Sequence, residues 1–423
     1  MGRSYIFSWH PHRLLPVFTA SQIVSGCVAA TLPLTRRCAS HVSSPNAPLL
    51  AAQYSSTFDV DVTFANQTFK LLVDTGSSDT YVVRNGFQCI NATTNLEIPE
   101  ADCLYSPQTY DQSSTYRPIP NETFGVQYGN GIASGAMAYE DITLAGITVK
   151  GQAVGIADHS NPMGDGVNSG VLGLAYPALT SAHPGNDTDN TTFFYNRAVY
   201  SPVFNTMYKR GLVDPYFSIA LAHTPVEPNI STPTFGGYLT LGGLPPVAHS
   251  PNFSIVPVEI LANIPTEFTS GHRTRSYWAF TVSAVTYGEP DAQDLTTNTT
   301  AFQAFTDTGN ELSFLPAAVV EPINARFAPP AVYDDASGVY VVGCDAEAPT
   351  FGVTIGDQTF YHEGRDLIYQ TGDGVCVSAL AASESVAYKG IVLNILGASF
   401  LKNVVSVYDF GRNELRFAQR LGL

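Results

Sequence analysis

Two distant stretches of this chain repeat one another. "FKLLVDTGSSDTYVV" runs from Phe69 to Val83, and "FQAFTDTGNELSFLP" runs from Phe302 to Pro316. Each is an apolar strand-like run, then Asp-Thr-Gly, then a second apolar run. Well downstream of each comes a paired element, "SGVLGLAYP" from Ser169 and "LNILGASFL" from Leu393. Both read as a buried apolar strand ending in Leu-Gly. One Asp-Thr-Gly alone is a turn and carries little information. Two copies, each in an apolar frame and each with its Leu-Gly partner, imply two similar β lobes related by a pseudo-dyad.

The rest of the chain agrees. From Tyr54 onward short alternating runs such as "TFDVDVTF", "DITLAGITVK" and "YLTLGG" are separated by turn clusters, as in an all-β protein. Helical periodicity is scarce; Ser201 to Leu212 is the best short helix, with Gly211 as its stop. With 423 residues the chain can bury a large core. The expected architecture is all-β and bilobal. Residues 1–50 form a signal-like or pro-like segment, 51–250 an N-terminal β lobe and 251–423 a C-terminal β lobe. The Pro-containing connection "SPNFSIVPVE" lies at the boundary.

A pseudo-dyad brings Asp74 and Asp307 together at the lobe interface. Two carboxylates within about 3 Å cannot both ionise comfortably, so they share one proton. The resulting apparent pKa values belong to the pair. The ionised member can take a proton from water while the protonated member polarises a carbonyl, which is hydrolysis without a covalent intermediate. Gly76 and Gly309 let the backbone pass where a Cβ would intrude. The Thr75 and Thr308 hydroxyls can tie each loop to the opposite strand.

Other chemistries find less support. A formal charge of −16 argues against nucleic acid, which needs clustered Lys and Arg. No cysteines stand at metal-site spacing, so neither zinc nor any other metal or cofactor is expected. No G-x-S-x-G or H-E-x-x-H motif offers a rival mechanism. "YHEGRD", from Tyr361, lacks a second histidine at helical spacing and reads as a surface loop.

The cysteines instead suggest two local disulfides, Cys89 with Cys103 and Cys344 with Cys376. They would close loops of roughly 15 and 33 residues, each contributing about 3–4 kcal/mol. That needs an oxidising compartment. N-x-S/T sequons begin at Asn66, Asn91, Asn121, Asn186, Asn190, Asn229, Asn252 and Asn298, which favours a glycosylated, secreted or vacuolar protein. The stretch "LLPVFTASQIVSGCVAA" resembles a weak signal peptide with cleavage near Ala29 or Ala30, and Arg36-Arg37 a dibasic processing site. A mispredicted first exon explains that region equally well. Its polar residues speak against a membrane anchor.

With these residues in view, the sequence resembles the pepsin-like aspartic endopeptidases of fungi, from about Tyr54 to Ala418. "VDTGSSDTYVV" matches that family's first active-site loop, and "FGVQYGNGIASG", from Phe124, resembles its flap hairpin, with a tight turn at Asn130-Gly131. "YWAFTVSAV", from Tyr277, resembles the strand that opens the second lobe. The resemblance implies Asp74 and Asp307 as the catalytic dyad, with Ser77 donating to Asp74. Tyr128 would cover the S1 pocket. The Gly129 and Gly309 backbones would bind an extended peptide or protein substrate by strand addition, with Gly76 and Thr308 lining the site. A monomeric, secreted zymogen with apolar preference around the scissile bond would follow.

Three departures qualify the resemblance: the Asn310-Glu311 pair, Tyr81 and the N-terminal region. Asn310 stands where the family has Thr or Ser, and its amide is expected to donate to Asp307 in their place. Glu311 follows; we expect its side chain to point to solvent, the alternative being a third carboxylate in the cleft. Tyr81 replaces the Trp beside the flap tyrosine, and its phenol can bond Tyr128. The N-terminal region also lacks an obvious basic inhibitory segment. Besides the protease, two readings stay open: a pepsin-like fold turned to non-proteolytic acid–base catalysis on a small molecule, and a silent peptide-binding relative.

Overall fold

The strand Gln67–Asp74 alternates as its sequence dictates. Phe69, Leu71 and Val73 are buried on one face, while Thr68, Lys70 and Leu72 lie on the other, less buried face. It pairs antiparallel with Thr57–Phe64 and parallel with Gly170–Gly173, so that Asp74 faces Gly173. The next strand, Thr80–Ile90, then runs antiparallel along the other edge of Gly170–Gly173. The first Leu-Gly strand therefore lies between the two strands that flank the first Asp-Thr-Gly.

The second repeat is built the same way. Phe302–Thr306 pairs parallel with Ile395–Leu396, and Ser313–Leu315 pairs antiparallel with that same short strand. Both Asp-Thr-Gly loops thus leave one strand, turn, and return on the far side of a Leu-Gly strand.

The computed structural model describes residues 44–422, apart from 187–192, 194, 226–231, 373 and 388–389. The signal-like region, Cys27, Cys38, the dibasic pair and the sequons at Asn190 and Asn229 lie outside the described residues. Within them, three sheets of fifteen, eight and four strands form. The largest draws strands from both sides of residue 250. Its centre holds Asn46–Ala52 and Thr57–Phe64, and it ends on Val404–Asp409, Glu414–Gln419 and Ser254–Pro257. A cluster of buried rings ties the halves together. Trp278 packs on Tyr176, Phe217, Tyr408 and Phe410, and its indole N–H donates to the Leu174 carbonyl at 3.0 Å.

Helix is sparse, as composition suggested. Helix α1, Val203–Lys209, is shorter than the Ser201–Leu212 pattern; Gly211 follows it with φ +69°, the left-handed stop that Gly permits. Helix α2, Ala317–Asn324, escaped sequence reading because Pro322 sits inside it. Helix α3, Ala398–Leu401, is one turn directly after the second Leu-Gly strand.

Both cysteine pairs are bonded, Cys89 to Cys103 and Cys344 to Cys376. "YHEGRD" needs correction. It enters a short 3-10 helix, Gly364–Leu367, and Asp366 within it is 1% exposed, because His223 and Thr224 supply its hydrogen bonds in the interior. No helix among the described residues is long and apolar enough to cross a membrane.

Candidate active site

Asp74 ends its strand, and Asp307 follows Phe302–Thr306. The two loops are locked by reciprocal bonds between buried threonines. Thr75 N–H donates to Thr308 Oγ1 at 3.0 Å, and Thr308 N–H donates to Thr75 Oγ1 at 3.1 Å. Each hydroxyl then donates onward across the dyad, Thr75 to the Thr306 carbonyl at 3.1 Å and Thr308 to the Val73 carbonyl at 2.6 Å. Every polar group of this four-bond fork is satisfied in the interior, which fixes the loops relative to each other.

The fork brings the carboxyl groups of Asp74 and Asp307 within hydrogen-bond reach of each other. A Cβ on Gly76 would stand 2.5 Å from the Asp307 carboxyl carbon; one on Gly309 would stand 3.0 Å from that of Asp74. Only glycine fits at the first of these positions without displacing a carboxylate.

The two carboxyls are served unequally. Asp74 Oδ1 accepts from Gly76 N–H at 2.7 Å, and Oδ2 accepts a short bond from the Ser77 hydroxyl. Asp307 Oδ1 accepts from Gly309 N–H at 2.9 Å. Burial raises both pKa values. The bonds from Ser77 and Gly76 hold Asp74 back, whereas the neighbouring Asp74 charge pushes Asp307 well up. Within the pair the donors thus favour the ionised form at Asp74 more than at Asp307.

Asn310 does not donate to Asp307 among the described residues. Its loop is pinned by carbonyls instead: Asn310 O accepts from Ala398 N–H at 2.7 Å and Glu311 O from Ser399 N–H at 3.0 Å. Glu311 points neither to solvent nor into the cleft. Its carboxylate pairs with Lys402 Nζ at 2.7 Å, with side-chain exposures of 9% and 0%. The lysine sits in the largely apolar run "LGASFLKNVV" with its side chain fully buried, and the Glu311 carboxylate meets its charge.

Tyr81 also differs from expectation. Its hydroxyl lies 3.4 Å from that of Tyr105, which bonds Ser160 at 2.9 Å, and makes no bond to the neighbouring flap tyrosine. The flap strands Arg117–Gln127 and Ile132–Leu144 are closed by Tyr128 N–H donating to Gly131 O at 2.8 Å. The two residues left in the loop are Gly129 and Asn130, one step earlier than Asn130-Gly131. The Tyr128 phenol is buried beside Asp74, Ser77 and Tyr105.

Sequence reading missed several neighbours of the dyad. Tyr277 packs on Phe305 with ring centroids 4.4 Å apart, and both aspartates act on its pKa. Asp79 is fully buried and accepts from Tyr200 at 2.7 Å and Ser181 N–H at 2.8 Å. Lys402 had a legible signal, a lone cation inside an apolar run. A partner far away in sequence had none.

Comparisons with known proteins agree with this geometry. The chain is 38% identical to a probable aspartic-type endopeptidase of Aspergillus fumigatus over 90% of its length and 82% of that protein. It is 27% identical to penicillopepsin-1 of Penicillium janthinellum, covering 84% of this chain and 93% of the relative. A vacuolar aspartic protease of Candida albicans is 26% identical over 88% of this chain and 77% of its own. Among solved structures, the aspartic proteinase of Irpex lacteus superposes with a TM-score of 0.64 at 20% identity, over 89% of this chain and 98% of that one. The fold is thus the bilobal pepsin-like one. The family profile matches residues 53–420, and the chain belongs to the eukaryotic aspartyl proteases, an aspartic-type endopeptidase by descent.

Proposed function

We propose that this chain hydrolyses peptide bonds of extended substrates at acidic pH, with Asp74 as general base and Asp307 as general acid. The Asp74 carboxylate takes a proton from water as its oxygen bonds to the scissile carbonyl carbon. Asp307 gives its proton to the carbonyl oxygen, leaving a neutral tetrahedral diol. Asp74 then passes its proton to the amide nitrogen as the C–N bond breaks. Asp307 recovers a proton from one hydroxyl, so the net change is one water added across one peptide bond.

What carries this reading is the inequality of the two carboxyls within one symmetric fork. It favours a pair holding one charge and one proton, as the reaction requires. Acidic working conditions follow, because the second ionisation removes the acid. The flap backbone at Gly129 and the loop backbones at Gly76 and Gly309 would bind substrate main chain, with Tyr128 over an apolar subsite. Two disulfides and exposed sequon asparagines at 66, 121, 186 and 252 support passage through the secretory pathway.

The test is digestion of a denatured protein from pH 2.5 to 7 by wild type, Asp74→Asn and Asp307→Asn. Cleavage peaking in the acid range should fall by about 10²–10⁴-fold or more in each variant. A folded wild-type protein that cleaves nothing across this range sinks the reading.

A further inference from the structure

Glu311 and Lys402 form a buried ion pair that the acid–base chemistry leaves unused. Such a pair is poor evidence of stability, because desolvating both charges offsets much of their attraction. Its placement is more telling. Glu311 belongs to the loop that carries Asp307, and Lys402 follows α3, the turn on which that loop rests. Asp307 N–H donates to Leu396 O at 3.1 Å, Gly397 N–H to Ser313 Oγ at 3.1 Å, and Ser313 Oγ lies 2.9 Å from Ser399 Oγ. A Cβ on Gly397 would stand 2.3 Å from Leu312 O, so helix and loop are in direct contact.

The pair also continues inward. Lys402 Nζ donates to Thr224 Oγ1 at 3.1 Å, Thr224 N–H donates to Asp366 Oδ1 at 2.9 Å, and Asp366 Oδ2 lies 2.5 Å from His223 Nδ1. In the first loop a side chain, Ser77, holds its aspartate. In the second loop the residue at the matching position, Asn310, makes no such bond among the described residues.

We propose that Glu311 and Lys402 are positioning residues for Asp307, anchoring the second catalytic loop through the buried chain Glu311–Lys402–Thr224–Asp366–His223. Its enzymatic readout rests on the acid–base reading above. The groups that face Glu311 are Lys402, Asp366 and Tyr369, and Asp366 is faced in turn by His223, with Arg420 and His362 beside it. Burial outweighs Lys402 and raises Glu311 from 4.5 to about 7. A carboxyl whose folded pKa is raised stabilises the folded state fully below its unfolded value. That contribution is lost as pH climbs to the folded value. The stability this carboxyl contributes is therefore greatest in acid, where Glu311 is neutral and still accepts from Lys402, although the Lys402 charge by itself favours the ionised carboxylate.

The experiment compares wild type with Lys402→Met, Lys402→Arg and Glu311→Gln at pH 4, using a fluorogenic peptide and counting active sites with a tight-binding statine peptide. Lys402→Met should lose about 10- to 100-fold in kcat per active site with KM within about twofold, since a small misplacement of Asp307 is costly; Lys402→Arg should recover most of it. Glu311→Gln should flatten the fall in thermal midpoint that wild type shows between about pH 4.5 and 7. Hydrogen exchange over residues 306–314 reads the loop independently of catalysis and should quicken in Lys402→Met. Unchanged kcat per active site in an active enzyme overturns the proposal. If wild type proves inactive, the acid–base reading fails and exchange alone decides: faster exchange confined to the loop upholds the anchor, unchanged exchange overturns it. Should Lys402→Met not fold, the near-isosteric Glu311→Gln is judged on its thermal profile and loop exchange.

Discussion

At Asp74 the carboxylate accepts from Gly76 N–H and Ser77 Oγ; at Asp307 it accepts from Gly309 N–H. The two threonines between them make equivalent bonds, each backbone N–H meeting the opposite hydroxyl at 3.0 and 3.1 Å and each hydroxyl donating to a strand carbonyl, at 3.1 Å from Thr75 and 2.6 Å from Thr308. Symmetry of the frame and asymmetry of the ligands do different work. The frame sets the distance at which one proton must be shared, and the unequal donors decide which carboxyl keeps it. A pair with identical surroundings would split the proton evenly and assign no roles.

Close approach gives the sharpest way to break this comparison. An added Cβ at Gly76 meets the Asp307 carboxyl at 2.5 Å, closer than such contacts occur, whereas at Gly309 it meets Asp74 at 3.0 Å. Gly76→Ala should therefore cost about 10²-fold or more in kcat, and Gly309→Ala clearly less, each measured per active site. Equal losses would mean that the two loops are not distinguished by packing.

A smaller effect probes the donors themselves. Ser77→Ala removes a bond that lowers the Asp74 pKa, so the acidic limb of kcat/KM should move to higher pH and the rate should fall about tenfold. Asn310→Ala removes no bond to Asp307 and should change kcat by less than about twofold. A loss at Asn310 matching that at Ser77 would show that its amide reaches the dyad during turnover.

The duplicated Asp-Thr-Gly and its Leu-Gly partners made the two-lobed strand-loop-strand plan legible. Each partner lies well downstream of its motif, beyond several other strands, and was recognisable because the whole arrangement occurs twice. The bonded cysteine pairs were legible because their members are close in sequence. What escaped depends on side chains meeting across long separations. Glu311 and Lys402 are 91 positions apart, and His223 and Asp366 are 143 apart. Nothing in either local pattern names the other. Tyr81 turned to Tyr105 rather than Tyr128 because a phenol, unlike an indole, bonds at its tip, and that tip reaches the hydroxyl chain ending at Ser160. Helix α2 was hidden by Pro322, although a helix of this length survives one proline when its ends are packed.

The smallest expected difference lies in the fork. Thr75→Val and Thr308→Val each delete an acceptor for a buried N–H across the dyad and a donor to a strand carbonyl. Each should cost about 1–3 kcal/mol in urea unfolding, through the N–H left without a partner. Because the two threonines occupy equivalent places, their costs should agree to within about 0.5 kcal/mol, unlike the glycine and donor pairs. The double variant should cost less than the sum, since either substitution already breaks the reciprocal arrangement. A large inequality between the single variants would place the asymmetry of this site in its frame rather than in the donors that serve its carboxylates.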